Sequence, residues 1–277
     1  EIARRGGIQE GAELGAVLTT RGDAGVAGLD VALEVFRRLD PDAVLEAKVR
    51  DGDHAAGGAI LARIKGQAQA LLTAERTALN FIQHLSGIAT LTRTYVEKIE
   101  GTRCAPLDTR KTIPGLRIFQ KQAVRAGGGV SHRADLAEFP MVKENHRNRI
   151  QTLHPELAAD ARAEVAFIRD TLRAAGVDGP IAIEVEDEES FRACLVLEIE
   201  IILVDNVPPE LLEQWVSRAR KDDLPLASHQ IEASGGIDET SAAAYAAAGA
   251  GRISCGAITH SAPALDLTMA IFAGADA

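Results

Sequence analysis

The sequence predicts an α/β protein in two parts: residues 1–101 form an open sheet-and-helix domain ending in a long connecting helix, and residues 102–277 form a TIM-like barrel of βα units. Three observations predict this. From about residue 150, short apolar runs alternate with amphipathic helical patterns, the mark of a parallel sheet. The carboxyl ends of those runs carry polar and glycine residues one after another, where barrels keep their chemistry. Residues 1 to about 100 instead show glycines and short alternating stretches typical of a half-buried antiparallel sheet.

In the first part, "GLDVALEVFRRL" (28–39) reads as an amphipathic helix, and "AVLEAKVRDGD" (43–53) and "AILARIKG" (59–66) read as alternating strands. "TAERTALNFIQHLSGIATLTRTYVEKIEG" (73–101) predicts a long helix. Thr73 is its expected N-cap, positions 78, 82, 85, 89, 96 and 99 its buried stripe, and Ser86-Gly87 a site of close packing. Six strands are expected in the second part: "RCAPLD" (103–108), "FPMVK" (139–143), "PIAIEVE" (180–186), "IEIILVD" (199–205), "PLASHQIEAS" (225–234) and "GRISC" (251–255). His154-Pro155 opens a helix with Leu157, Ala161, Val165, Ile168 and Leu172 on one face, which Gly176 ends in a left-handed turn. "PPELLEQWVSRARK" follows, then "DETSAAAYAAAG" with Asp238 as N-cap and Gly249 as stop. A last helix is expected to return to the N-terminal domain.

Composition narrows the function classes. With 46% hydrophobic and 25% charged residues the chain is not disordered, and 4% aromatic leaves few stacking groups for single-stranded nucleic acid. Three cysteines without CxxC spacing suggest neither a disulfide framework nor a zinc site, so a cytoplasmic location fits. No apolar run approaches the roughly 18 residues of a membrane span, and the start, "EIARRGGIQE", lacks a signal-peptide core as well as an initiator Met. A net charge of −10 argues against nucleic-acid or membrane partners. Residues 103–149 depart from this, with ten Lys/Arg against four acids, a local +6 that leaves −16 elsewhere. Such an island suits either a pocket for a small polyanion or a solvated basic face.

Thr109, Arg110, Lys111 and Lys143 fall at expected strand ends, and in a barrel the four cations Arg110, Lys111, Arg133 and Lys143 would converge on one mouth, joined by His132. Guanidinium forks and ammonium groups together suit a dicarboxylate or phosphate; alternatively, Arg110 pairs with Asp108 or Asp135 in a structural salt bridge. Glu184 and Glu186 share a strand face, and Glu186 and Asp205 at neighbouring strand ends suit Mg²⁺ held jointly with a substrate's phosphates. Ser234-Gly235-Gly236 and Cys255-Gly256-Ala257 would let backbone N–H groups approach a phosphate, although Gly-Gly is also an ordinary turn.

The segments "AERTALNFIQHLSGIAT", "LDTRKTIPGLR", "KQAVRAGGGVSHR", "VKENH", "EVE", "LVDN", "SGG" and "GAITHS", in this order from about residue 70 to 262, closely resemble the quinolinate phosphoribosyltransferase family. The resemblance implies an N-terminal α/β sandwich with an incomplete barrel, and a homodimer with shared active sites, or a higher homo-oligomer. It implies reaction of quinolinate with phosphoribosyl pyrophosphate and Mg²⁺ to give nicotinate mononucleotide, pyrophosphate and CO₂. Arg110, Lys111, His132, Arg133 and Lys143 would line the pocket, joined by the partner subunit's Arg76. Lys111, Lys143, Glu186 and Asp205 would carry the catalytic work, with Glu186 and Asp205 serving Mg²⁺ directly or through pyrophosphate and water; Ser234–Gly236 and Cys255–Ala257 would hold the 5′-phosphate. Ser131 stands where the family usually has Asn, "RNRI" after "VKENH" adds Arg147 and Arg149 near the expected mouth, and the start reads as shortened. Other readings are a non-decarboxylating nicotinate phosphoribosyltransferase, a Schiff-base barrel aldolase through Lys143 or Lys111, and a non-catalytic phosphate-binding protein.

Overall fold

The computed structural model describes residues 11–273, and these divide into two compact units. Among the described residues, one takes 11–94, 111–129 and 257–273; the other takes 95–110 and 130–256.

The first unit is built on a four-stranded antiparallel sheet. Its strands are β1 (Glu13–Thr20), β3 (Val44–Ala47), β5 (Ile60–Gln67) and β12 (Leu267–Ala273), in the order β12-β1-β5-β3; β2 (Ala24–Gly25) and β4 (His54–Ala55) make a separate pair. Alternation along β1 buries Ala16, Leu18 and Thr20 on one face. Against Ala16 and Leu18 pack Leu29, Leu33 and Phe36 of α1 (Leu29–Leu39) and Leu71 and Ile82 of α2 (Ala68–Lys98). The Asp51 carboxylate accepts from the N–H groups of Gly28 (2.7 Å) and Leu29 (3.0 Å), placing an anion at the start of α1.

Helix α2 starts at Ala68, five residues before the expected start. Thr73 is inside it and back-bonds to the Gln69 carbonyl at 2.6 Å, so it is not the N-cap. The expected stripe is buried at Ala78, Ile82, Leu85, Ala89 and Ile99, with Tyr95 buried in place of Val96, which is only partly buried. Ser86-Gly87 is a close-packing site, as expected: the Ser86 hydroxyl exchanges hydrogen bonds with the Ala27 backbone, and a Cβ on Gly87 would lie 2.0 Å from the Pro263 carbonyl oxygen. The returning C-terminal element is a strand, not a helix. Residues 267–273 pair with β1 along its length, from Thr20↔Leu267 to Leu14↔Ala273, and this ladder overrides the helix propensity of Leu, Met and Ala.

All six strands expected in the second part form one parallel sheet. They are β6 (Ala105–Leu107), β7 (Met141–Val142), β8 (Ala182–Val185), β9 (Ile201–Asp205), β10 (Ile231–Ser234) and β11 (Arg252–Ser254), in the order β6-β11-β10-β9-β8-β7. Consecutive strands β6 and β7 are the two edges, so the barrel is incomplete. Ile183, Val185, Ile202, Val204, Ile231, Ala233 and Ile253 are buried, which explains their near-continuous apolar runs.

Helices α4 (Glu144–Leu153), α5 (Ala161–Ala174), α6 (Glu188–Val196), α7 (Pro209–Lys221) and α8 (Ala242–Ala247) connect the last five strands, and α3 (Arg117–Ala126) precedes them in the chain. His154-Pro155 begins a short 3₁₀ turn rather than the helix; Asp160 caps α5 by accepting from Ala163 N–H at 2.9 Å. Gly176 then turns left-handed at φ 84°, as expected. Asp238 does not cap α8 directly: its Oδ1 ties the Thr240 and Ser241 N–H groups into the preceding turn, at 2.9 Å each. Among the described residues no helix is long and apolar enough to cross a membrane.

Candidate active site

Strand order sets Asp108–Arg110, Cys255-Gly256, Ser234–Gly236, Asp205-Asn206, Glu186 and Lys143 side by side at the carboxyl ends of the parallel sheet. Residues up to 148 positions apart thereby share one rim.

At the β6 end, Asp108 is completely buried and organises the turn after Val130. Its Oδ1 accepts from His132 N–H and its Oδ2 from the Ser131 hydroxyl, both at 2.9 Å. His132 Nδ1 in turn accepts from the Arg133 N–H at 2.8 Å. That nitrogen is therefore unprotonated, which puts the ring proton on Nε2, facing the Glu232 carboxylate at 3.1 Å. Glu232, 1% exposed on β10, also accepts from the Ser254 hydroxyl at 2.6 Å. Sequence reasoning missed Glu232. Its only signal was a carboxylate between Ile231 and Ala233, in a strand otherwise buried.

The Arg133 guanidinium donates to the Phe139 carbonyl at 2.8 Å and lies 5.5 Å from that ring's centre. Burial, and then the charge of Arg110, hold its pKa below the usual value, with Glu232 and Glu138 opposing. The positive charge of Arg110 thus acts on Arg133 at the rim, and a bound anion would offset it.

At the opposite edge Lys143 pairs with Glu184, whose other oxygen accepts from Glu144 N–H at 3.0 Å. Glu184 is buried and clamps the start of α4, whereas Glu186 on the same strand face is exposed. Desolvation, then Glu144, Asp205 and Glu184, raise the Glu186 pKa, with Arg147 opposing. These hard oxygen donors suit a cation, yet no group of three or more His, Cys, Asp or Glu among the described residues forms a metal cage. They fit Mg²⁺ that takes its remaining ligands from phosphate and water.

Between the edges, Asp205 accepts from the Asn206 side-chain amide at 2.7 Å, and Asn206 N–H donates to the Ser234 carbonyl at 2.9 Å. Gly235 sits at φ 96°, where a Cβ would meet Asn206 Oδ1 at 2.2 Å; only glycine fits there. Beside the Cβ position of Gly236 there is open space, so a ligand oxygen has room to approach.

Cys255 departs from expectation. Its N–H donates to the Leu107 carbonyl at 3.0 Å and its buried thiol lies 3.7 Å from the Ile253 carbonyl, so neither is turned toward a phosphate. Burial pushes the thiols of Cys194 and Cys255 up to about 12 and that of Cys104 to about 11. Thiol titration at pH 8 is expected to modify the partly exposed Cys104 slowly and the other two only after unfolding. Immediate labelling of Cys255 would contradict this packing.

Arg147 is also placed differently. Instead of facing the mouth it bonds Glu164 (2.7 Å), Ser190 (2.9 Å) and the Glu184 carbonyl (3.2 Å), while Arg149 on the same helix is exposed. Lys111, Arg76 and Ala257 belong to the first unit. Arg76 is exposed on α2, and Ala257 opens the short helix α9 (Ala257–His260). The Lys111 carbonyl accepts from the Thr259 hydroxyl at 2.8 Å. Gln120, fully buried and missed in the sequence, accepts from Ile113 N–H and donates to the Thr259 carbonyl, both at 2.9 Å.

An open antiparallel unit with an incomplete parallel barrel, whose rim runs from guanidiniums through a glycine turn to clustered carboxylates, defines an α/β enzyme class that handles small polyanions. The N-terminal domain profile of quinolinate phosphoribosyl transferase matches residues 4–86, and the C-terminal domain profile matches 88–270. A nicotinate-nucleotide pyrophosphorylase [carboxylating] of Mycobacterium leprae is 40% identical over 87% of this chain and 81% of its own. A probable nicotinate-nucleotide pyrophosphorylase [carboxylating] of Bacillus subtilis is 38% identical over 88% and 78%. The crystal structure of NadC from Streptococcus pyogenes superposes with a TM-score of 0.85 at 31% identity, covering 98% of this chain and 90% of that one. The chain belongs to the quinolinate phosphoribosyl transferase family.

Proposed function

We propose that the protein transfers a phosphoribosyl group from phosphoribosyl pyrophosphate to the ring nitrogen of quinolinate and releases pyrophosphate and CO₂, forming nicotinate mononucleotide for NAD synthesis in the cytoplasm. The observation that carries this reading is the placing of Arg110 and the buried Arg133, whose pKa burial and the Arg110 charge lower, on a rim whose far side holds Glu186 and Asp205. Two carboxylates on one ring match two guanidinium forks, and a pyrophosphate-bound cation matches the acids.

Arg110 and Arg133 bind and orient the ring carboxylates, with Lys143 and His132 completing the pocket. Ser234–Gly236 and Gly256 seat the 5′-phosphate; the space beside Gly236 supports this. Glu186 and Asp205 would hold Mg²⁺, which when bound neutralises the departing pyrophosphate. The ribosyl centre gains oxocarbenium character as pyrophosphate leaves, so fixed charges contribute more than a strong base. Once ribosylated, the ring nitrogen is cationic and stabilises the electron pair left as the adjacent carboxylate departs. The active assembly is a homodimer in which the partner subunit's Arg76 completes each pocket; its exposure on α2 supports this. Membership of the quinolinate phosphoribosyl transferase family disfavours the aldolase alternative.

Carboxyl-labelled quinolinate is expected to release CO₂ only when phosphoribosyl pyrophosphate and Mg²⁺ are both supplied, in step with pyrophosphate. Release without the ribosyl donor would overturn the order of steps.

A further inference from the structure

The buried carboxylate of Glu232 has no part in the chemistry above, yet its contacts lead to the rim. It accepts from the Ser254 hydroxyl at 2.6 Å and from His132 Nε2 at 3.1 Å, while His132 Nδ1 accepts from Arg133 N–H at 2.8 Å. The neighbouring peptide N–H, that of His132, is spent on buried Asp108 at 2.9 Å. Both N–H groups leading into Arg133 are thus committed to buried acceptors, one of them through the imidazole. Rotating that ring, or moving its proton to Nδ1, would leave Arg133 N–H facing a donor and release the backbone that carries the guanidinium. Phe139 packs on the ring with centroids 5.4 Å apart and also accepts from the guanidinium, so ring and side chain share one support.

We propose that Glu232 is a positioning residue for dicarboxylate recognition: by holding His132 as its Nε2–H tautomer it fixes the Arg133 backbone, and so the guanidinium, before substrate arrives. The proposal rests on the assignment of Arg133 to quinolinate. A structural carboxylate alone would protect stability and both substrates equally; a positioning carboxylate protects quinolinate selectively. Ser254 completes the arrangement by donating to Oε1 of the carboxylate at 2.6 Å, while His132 Nε2 lies 3.2 Å from Oε2 and 3.1 Å from Oε1.

The test uses the full-length protein labelled with ¹⁵N-histidine. Wild type is expected to show His132 with its proton on Nε2; an Nδ1–H tautomer would overturn the proposal without any variant. Glu232→Gln keeps an acceptor for the ring and a donor for Ser254, so it should retain the tautomer and bind quinolinate within about threefold of wild type. Glu232→Met matches the volume but removes the acceptor. It should mix the tautomers and weaken quinolinate about tenfold, with phosphoribosyl pyrophosphate affinity changed less than about twofold. Unchanged quinolinate affinity in Glu232→Met, or an equal loss of both substrates, would overturn the proposal. If Glu232→Met fails to fold, Glu232→Gln decides: loss of the tautomer with quinolinate affinity intact would refute the link. Failure of wild type to bind quinolinate at all would overturn the functional reading instead, and the tautomer measurement would still stand.

Discussion

Arg147→Met is expected to lower stability by about 3–5 kcal/mol, read as a fall in the urea midpoint, because it strands a buried carboxylate. Glu164 is 1% exposed and Arg147 donates to both of its oxygens, at 2.7 and 3.3 Å. Burial alone would lower the Arg147 pKa, but the bond and the charge of Glu164 outweigh it and the pKa is raised. After the substitution only the Gln151 amide, at 3.1 Å, remains among the contacts described to Glu164. The double variant Arg147→Met/Glu164→Leu should recover much of the loss, since a buried pair exchanged for apolar groups is often neutral. Failure to recover would mean that Arg147 stabilises through its bonds to Ser190 and the Glu184 carbonyl instead. Activity should fall as well, because Lys143 stands at the start of the helix that Arg147 anchors.

That pair shows where the sequence is legible and where it is not. The six parallel strands could be read because burial on both faces leaves a nearly unbroken apolar run. Polar residues past their ends could be read as a rim because successive βα units share one polarity. The start of α2 could not: β5 passes into the helix from Gln67 to Ala68 with no breaker between, and Thr73, five residues on, looks like a cap. Nor could the last strand, whose residues favour a helix until β1 offers a partner some 250 positions away. Buried carboxylates were the hardest to place. Asp108, Glu184 and Glu232 look like surface charges locally, and their partners lie 24, 41 and 100 residues off. For the same reason Arg147 read as a rim cation, although its ion-pair partner, Glu164, is 17 residues away on another helix.

Arg110→Ala is expected to raise the quinolinate KM roughly 10- to 150-fold, the equivalent of about 1.5–3 kcal/mol for a charged hydrogen-bonded contact, with little change in that for phosphoribosyl pyrophosphate. Arg110 is exposed at the β6 end and its charge contributes to the lowered pKa of Arg133, which is consistent with both acting on one dianion. Arg110→Lys separates charge from shape. It keeps the cation but loses the planar fork, and should recover only part of the affinity. Nicotinate, with one carboxylate, supplies the third comparison: wild type should prefer quinolinate, and Arg110→Ala should narrow that preference because it removes the contact that only the second carboxylate uses. Equal weakening of both ligands would place Arg110 on the carboxylate they share, and unchanged quinolinate binding would remove Arg110 from the pocket. Arg110→Ala relieves Arg133 of a like charge, so part of the lost attraction is offset by lower strain in the empty site, and the observed loss understates what the fork contributes when substrate is bound.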